Sequence, residues 1–92
     1  MAATEIQIKL QGYETDFYSV EKSQYIESDC NTLTFINYGT SVVKVEAVTL
    51  QPSQSLELGG NSGEYTKQRF FINFGSSTIG NYVVVVRKRY VM

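Results

Sequence analysis

The residue types that usually carry enzyme chemistry are sparse in this 92-residue sequence. Histidine, the commonest general base and metal ligand, is absent from the chain. The single cysteine, Cys30, follows Asp29, and a neighbouring carboxylate raises the pKa of a thiol, which is the opposite of what a nucleophilic cysteine needs. We therefore interpret Cys30 as a structural residue.

Paired carboxylates are the next candidates for acid/base chemistry. Glu14 with Asp16, and Glu27 with Asp29, are spaced to share one face of a strand. Solvated acidic strand edges explain both pairs better, because nothing in the spacing singles out a catalytic pair. The D-x-[DN]-x-[DN]-G pattern of a calcium loop does not occur. The sequence thus predicts no enzyme activity, no cofactor and no metal site.

Residues 58–65, which read LGGNSGEY, form a glycine-rich stretch of the kind that can cradle phosphate groups. A phosphate loop ends in Gly-Lys-Ser/Thr and leads into a helix. This stretch lacks that ending, and no helical periodicity follows it. We interpret it as a hairpin loop.

A basic and aromatic cluster near the C-terminal end raises the question of nucleic-acid binding. It comprises Arg87, Lys88, Arg89, Tyr82, Tyr90, Phe70 and Phe71. In a strand, Arg87 and Arg89 share one face and Lys88 lies on the other, so the charge is divided. The chain has a net charge of −1, far from the basic character of most such proteins. Nucleic acid is not an expected partner.

The length and composition suit one domain spanning residues 1–92. A hydrophobic fraction of 42%, with seven Tyr and five Phe, is ample for folding without disulfides. No apolar run approaches the roughly 18 residues of a membrane span, and residues 1–10 lack the features of a signal peptide. We expect a soluble protein made inside the cell, with no membrane partner.

Charge is distributed unevenly along the chain. Residues 1–30 carry a net charge of −4, whereas residues 31–92 carry +3. Opposite charges attract, so the acidic N-terminal third is predicted to lie against a basic body, either its own or a neighbour's. Ordinary scatter of surface charge is the alternative.

Residues 32–58 fix the fold class, because short apolar runs with period-two alternation are separated there by breaks containing Asn, Gly or Pro. Val43, Val45 and Ala47, for example, alternate with polar residues. The predicted strands are 4–11, 25–27, 32–38, 42–49, 55–58, 69–74 and 82–91. The rest of residues 13–28 is poorly periodic and is predicted to be extended.

Four consecutive valines, residues 83–86, predict a central strand buried on both faces. Six to seven strands in 92 residues indicate an all-β fold. The expected architecture is a compact antiparallel β-sandwich or small barrel with an N-terminal strand or arm.

Three turn motifs and the last strand carry a resemblance to a known module. The motifs are Asn37-Tyr38-Gly39-Thr40, the stretch 50–55 (LQPSQS) and the loop 60–64 (GNSGE), followed by the valine-rich strand with Arg87-Lys88. Together they resemble a small β-module found in virion proteins of tailed bacteriophages, particularly those of gut Bacteroidetes. Ser53 stands where that module has glycine. The resemblance covers residues 32–91 and leaves the N-terminal third unmatched.

The resemblance implies a non-enzymatic virion protein. Its expected job is that of a capsid auxiliary (decoration) protein, which binds the major capsid protein and stabilises contacts between capsid subunits. A neck or tail adaptor that binds other virion proteins is an alternative, as is a carbohydrate-binding or adhesion module on the same fold. A homo-oligomer is compatible with each of these functions.

Two hypotheses concern the N-terminal third. Residues 1–28 either form a docking arm that contacts neighbours, with 29–92 as the core module, or contribute strands to the same sandwich. The predicted partner-binding residues are Tyr13, Phe17, Tyr18, Tyr25, Arg87 and Arg89. Tyr38 and Tyr82 are predicted to lie in the core.

Overall fold

The computed structural model describes residues 12–59 and 65–91, with side chains described from 14 to 59 and from 65 to 89. These residues form eight strands: β1 (Gly12–Val20), β2 (Gln24–Glu27), β3 (Thr32–Asn37), β4 (Val43–Val45), β5 (Val48–Leu50), β6 (Ser55–Gly59), β7 (Arg69–Asn73) and β8 (Val83–Val91). Within the two described ranges, no helix is long and apolar enough to cross a membrane. The predicted strand at 4–11 lies outside the described residues.

The strands form two antiparallel sheets. Sheet A has the order β1-β8-β3-β6, and sheet B has the order β2-β7-β4-β5. First and last strands pair, as do second and seventh, third and sixth, and fourth and fifth, which is the strand order of a jelly roll. The predicted all-β antiparallel sandwich is confirmed. The predicted number of strands, six to seven, is wrong.

The core lies between the inner faces of the two sheets. Phe35 in sheet A and Phe70 in sheet B meet edge to face, with ring centroids 5.8 Å apart. Val85 from sheet A and Ile72 from sheet B are fully buried around them. Burial of each such side chain contributes about 1.5–3 kcal/mol to folding before the loss of conformational entropy is subtracted.

The predicted single strand at 42–49 is in fact the hairpin of β4 and β5, which turns at Glu46 and Ala47. Glu46 has a φ of 54°, as the first central residue of a type II′ turn does. Its N–H donates to the Phe71 carbonyl (3.0 Å), and its Oε2 accepts from the Phe71 N–H (2.6 Å). Contacts with β7 therefore stabilise a turn for which the local sequence gives no Gly or Asn signal.

β8 is a central strand, as predicted, and lies between β1 and β3. Val83 and Val85 are buried against the core. Val84 and Val86, on the opposite side of the strand, are only half-buried. Burial on both faces is thus not what the described part of the chain shows.

Residues 12–20 and 24–27 lie within the two sheets. β1 pairs with β8 from Gly12 opposite Val91 to Val20 opposite Val83, and β2 pairs with β7. Because these residues pair within their own chain, we carry the docking-arm hypothesis forward for residues 1–11 only, which lie outside the described residues. Residues 60–64 also lie outside them, but the flanking strands β6 and β7 belong to different sheets, so the predicted hairpin is wrong.

Candidate partner-binding face

The strand registers place outward-facing side chains of sheet A in rows across the sheet. Phe17, Val86 and Thr34 lie side by side in one row, and Ser19, Val84 and Ile36 lie in the next. Because Leu33, Phe35, Val83 and Val85 point into the core, their neighbours in sequence point outward.

Two tyrosines extend these outward positions by one further step along β3 and β8. The N–H of Tyr38 donates to the carbonyl of Tyr82 (2.9 Å), which places the two residues side by side just beyond the strands. Their exposed fractions are 64% for Tyr38 and 41% for Tyr82, so the prediction that they lie in the core is wrong. We define the outer A face as Phe17, Ile36, Tyr38, Tyr82, Val84 and Val86.

The polar residue Asn37 explains why Tyr38 faces outward. Asn37 is fully buried, and its Nδ2 donates to the carbonyls of Ser41 (2.8 Å) and Leu50 (3.0 Å). Its Oδ1 accepts from the N–H of Gly39 (3.0 Å). A buried amide with three hydrogen bonds occupies the inward position, and the alternation of the strand then turns Tyr38 to the surface.

The outer A face combines apolar and aromatic groups with little charge. Phe17 is 70% exposed, which is unusual for a phenylalanine. The polar residues beside Phe17 and Val84 in the described rows carry hydroxyl groups, as Ser19 and Ser55 do. The charged side chains of these rows, Lys88 and Glu57, lie at the edges of the outer A face. An uncharged, aromatic-rich centre with a polar rim is typical of protein interfaces.

A smaller aromatic group lies on the outer side of sheet B. The rings of Tyr25 and Phe71 are 4.8 Å apart, and the Arg69 guanidinium lies 4.3 Å from the centre of the Tyr25 ring. Arg69 therefore covers part of the Tyr25 ring in a cation–π contact. This group is separated from the outer A face by the full thickness of the sandwich.

Arg87 and Arg89 point towards the inner side of sheet A, where they share one carboxylate. Asp16 Oδ2 lies 2.9 Å from Arg87 Nη2 and 2.8 Å from Arg89 Nη1. The hydrogen bond from Arg89 lowers the pKa of Asp16, and the same bond raises the pKa of Arg89. These contacts place an acidic residue of the N-terminal third against the basic C-terminal strand of the same chain.

The two arginines also hold the segment between β2 and β3. Arg87 Nη1 donates to the carbonyl of Glu27 (3.2 Å), and Arg89 Nε donates to that of Asp29 (2.7 Å). Tyr65 donates its hydroxyl to Asp29 Oδ1, and this hydrogen bond lowers the pKa of Asp29 and raises that of Tyr65. The cluster closes one end of the sandwich.

Two other groups line this end. The Arg87 guanidinium lies 5.2 Å from the centre of the Tyr18 ring, and burial raises the pKa of Tyr18. Burial also raises the pKa of the Cys30 thiol, which is 1% exposed. Among the residues that the structure describes, no three His, Cys, Asp or Glu side chains are grouped to hold a metal ion.

The predicted partner-binding residues do not form one surface. Phe17 lies on the outer A face, Tyr25 lies on sheet B, and the third group, Tyr18 with Arg87 and Arg89, lies at the inner end. Tyr13 pairs with Tyr90 through the backbone, and its side chain is outside the described set.

Sequence reasoning missed most of the outer A face, namely Ile36, Tyr38, Tyr82, Val84 and Val86. Alternation in a run of four valines cannot show which members face outward, because every member is apolar. If Asn37 had been recognised as an inward-facing residue, the alternation along β3 would have shown that Ile36 and Tyr38 face outward. Comparison with protein-family models, with curated proteins and with solved structures finds no match to this chain.

Proposed function

We propose that this protein is a non-enzymatic structural subunit of a virus particle, and specifically a capsid auxiliary protein that attaches through its outer A face. The observation that carries the proposal is the exposure of Phe17, Tyr38 and Tyr82 on one uncharged face of a sheet. Aromatic rings of this kind supply large contact areas at protein interfaces, and the tyrosine hydroxyls keep a hydrogen-bond partner.

The chemistry of the face defines the partner surface. With Lys88 and Glu57 only at the margins of the described rows, a complementary surface must be apolar and uncharged at its centre. A seam between copies of a major capsid protein offers such a surface, and a small subunit lying across it would hold the copies together. Burial of each ring would contribute about 1.5–3 kcal/mol before the entropy of ordering is subtracted.

Two further considerations favour a virion. The resemblance of residues 32–91 to a module of phage virion proteins points to this setting. The jelly-roll strand order is also used by viral capsid proteins, although lectins and enzymes share it, so fold alone does not assign the function.

Co-sedimentation tests the proposal. Empty heads assembled from the major capsid protein of the same genome are mixed with purified protein and pelleted. Wild-type protein should pellet at a fixed ratio to capsid protein, and Phe17→Ser with Tyr38→Ser should abolish pelleting, because both rings leave the face without disturbing the core.

Tyr25→Ser is the matched control, since Tyr25 is 57% exposed on the other sheet and should leave pelleting unchanged. Equal pelleting of the Phe17/Tyr38 variant would exclude the outer A face as the contact. Failure of the wild-type protein to bind heads, together with binding to isolated necks or tails, would move the protein to that part of the particle.

A further inference from the structure

We infer that a polar cleft at the loop end of the sandwich is a binding site for a saccharide. The cleft lies between the β1–β2 loop and the β7–β8 loop and has a volume of about 570 Å³. Pockets for small ligands measure about 300–1,000 Å³. This inference is independent of the proposed attachment to a capsid.

The groups that line the cleft match a ligand rich in hydroxyls. One wall consists of Glu21, Lys22 and Ser23, and the other consists of Ser77, Thr78, Gly80 and Asn81. These side chains comprise a carboxylate, an ammonium group, hydroxyls and an amide, so the cleft both donates and accepts hydrogen bonds. Sugar hydroxyls have the same dual character.

Glu21 and Lys22 are available to a ligand. Both side chains are exposed, and neither has a hydrogen-bond or ion-pair partner within residues 12–59 and 65–91. Hydrogen bonds to charged groups are roughly twice as strong as those between neutral groups. The two side chains thus give the cleft its strongest unused donors and acceptor.

The wall formed by residues 77–81 is held in place before any ligand arrives. Asn81 Oδ1 accepts hydrogen bonds from Ser41 Oγ (2.7 Å) and Ser77 Oγ (2.8 Å), and its Nδ2 donates to the Ser77 carbonyl (2.8 Å). The Gly80 carbonyl accepts from the N–H of Thr40 (2.9 Å). These bonds attach the β7–β8 loop to the β3–β4 loop.

The opposite wall is attached at its base. Ser23 Oγ accepts a hydrogen bond from the N–H of Phe74 (2.9 Å), which joins the β1–β2 loop to the end of β7. Both walls are therefore fixed relative to the sheets. A preformed site loses less conformational entropy when it binds, so less of the binding energy of a small ligand is offset.

Other ligand classes fit the cleft less well. Among the described residues, no aromatic or aliphatic side chain lines it, so these residues offer no apolar surface for a nucleobase or an apolar ligand. The charges of Glu21 and Lys22 balance, which disfavours a multiply charged anion. A neutral polyhydroxylated ligand satisfies the lining best.

Amide chemical shifts of ¹⁵N-labelled full-length protein test the inference. Glucose, galactose, mannose and N-acetylglucosamine are titrated separately into the millimolar range. At least one should give saturable shifts confined to residues 21–23 and 77–81. Glycerol should give only small, non-saturating shifts. The absence of saturation with all four sugars would overturn the inference, and saturation by a Gly-Ser-Gly-Ser peptide at the same amides would assign the cleft to peptides instead.

The variant Glu21→Ala/Lys22→Ala should weaken sugar binding by about tenfold or more, because two charge-assisted hydrogen bonds are lost. The matched control is Lys44→Ala/Glu57→Ala, which also removes one exposed ammonium and one exposed carboxylate and should bind the sugar as wild type does. Equal weakening in both variants would contradict the site. The variant Glu21→Ala/Lys22→Ala should still pellet with heads as wild type does. Saccharide binding in the cleft and capsid attachment through the outer A face are therefore tested independently.

Discussion

Asp16 and Arg89 lie 73 residues apart in sequence and meet at 2.8 Å between Oδ2 and Nη1. The same oxygen accepts from Arg87, and the two arginines in turn donate to the carbonyls of Glu27 and Asp29. A single carboxylate from β1 thus orients two side chains of β8 that hold the connection between the sheets. The cluster thereby links β1, β8 and the β2–β3 connection at this end of the sandwich.

Removal of the carboxylate should destabilise the fold. In Asp16→Asn the two guanidinium groups lose their shared counter-ion, and Arg87 Nε is already buried without an acceptor among the described residues. We expect a lower Tm by circular dichroism. The control is Glu57→Gln, which changes an exposed carboxylate on β6, away from the cluster, and should leave Tm unchanged. Equal Tm values for both variants would show that the cluster adds nothing to stability.

The same cluster predicts a dependence of stability on pH. The folded state lowers the pKa of Asp16 and of Asp29 below their ordinary values. A carboxyl group whose pKa is lower in the folded state than in the unfolded state stabilises the fold. This contribution is fully present at pH values above the unfolded-state pKa of about 3.9, and it is lost as the pH falls through the folded-state pKa. Urea denaturation should therefore show the unfolding free energy falling on acidification through this range. The fall should be shallower in Asp16→Asn, and an identical slope would contradict the assignment.

Neighbouring valines of β8 should respond differently to the same substitution. Val85 is fully buried, so Val85→Asp places an unpaired charge in the core and should cost about 3 kcal/mol or more. Val84 faces outward, so Val84→Asp should cost only about 1 kcal/mol, mainly through the low strand propensity of Asp. Denaturant unfolding measures both values. Equal losses would contradict the assignment of inner and outer faces. Val84→Asp should also prevent pelleting with heads.

The fold class was predictable because alternation of apolar and polar residues indicates a strand with one buried face, and Leu33 and Phe35 are indeed buried. The hairpin at Glu46 was not predictable, since its positive φ is stabilised by bonds to Phe71, 25 residues away. The outward position of Tyr38 depends on the burial of Asn37, whose partners Ser41 and Leu50 come together only in the folded chain. Local patterns cannot encode such distant partners.

Gly39 should be intolerant of any side chain. A Cβ at this position would collide with the Gly80 carbonyl oxygen and lie 2.8 Å from the Tyr82 nitrogen, and both are backbone atoms. Gly39→Ala should cost about 1–3 kcal/mol, and hydrogen exchange should show that the Thr40 amide, which donates to Gly80, loses protection. Gly75→Ala is the control, because a Cβ there meets nothing within 4 Å and its cost comes from the φ of 66° alone. Thr40 should stay protected in that variant, and protection retained in Gly39→Ala would contradict the predicted collision.

Truncation separates the docking arm from the core. Ile6, Ile8 and Leu10 alternate with polar residues, so residues 1–11 carry the pattern of a strand that could extend a sheet edge of a neighbouring subunit. A chain of residues 12–92 keeps all of β1 and should fold with an unchanged circular dichroism spectrum, but it should pellet less with heads or lose self-association in analytical ultracentrifugation.

A chain of residues 29–92 is the contrasting truncation. It lacks β1 and β2, so β8 keeps only β3 as a partner strand and β7 keeps only β4. This chain should be insoluble or molten because the core residues Val20 and Ile26 are lost. If the 12–92 chain binds heads and self-associates as the full chain does, residues 1–11 are not a docking arm. If the 29–92 chain folds cooperatively, the pairing of β1 with β8 is not required for the sandwich.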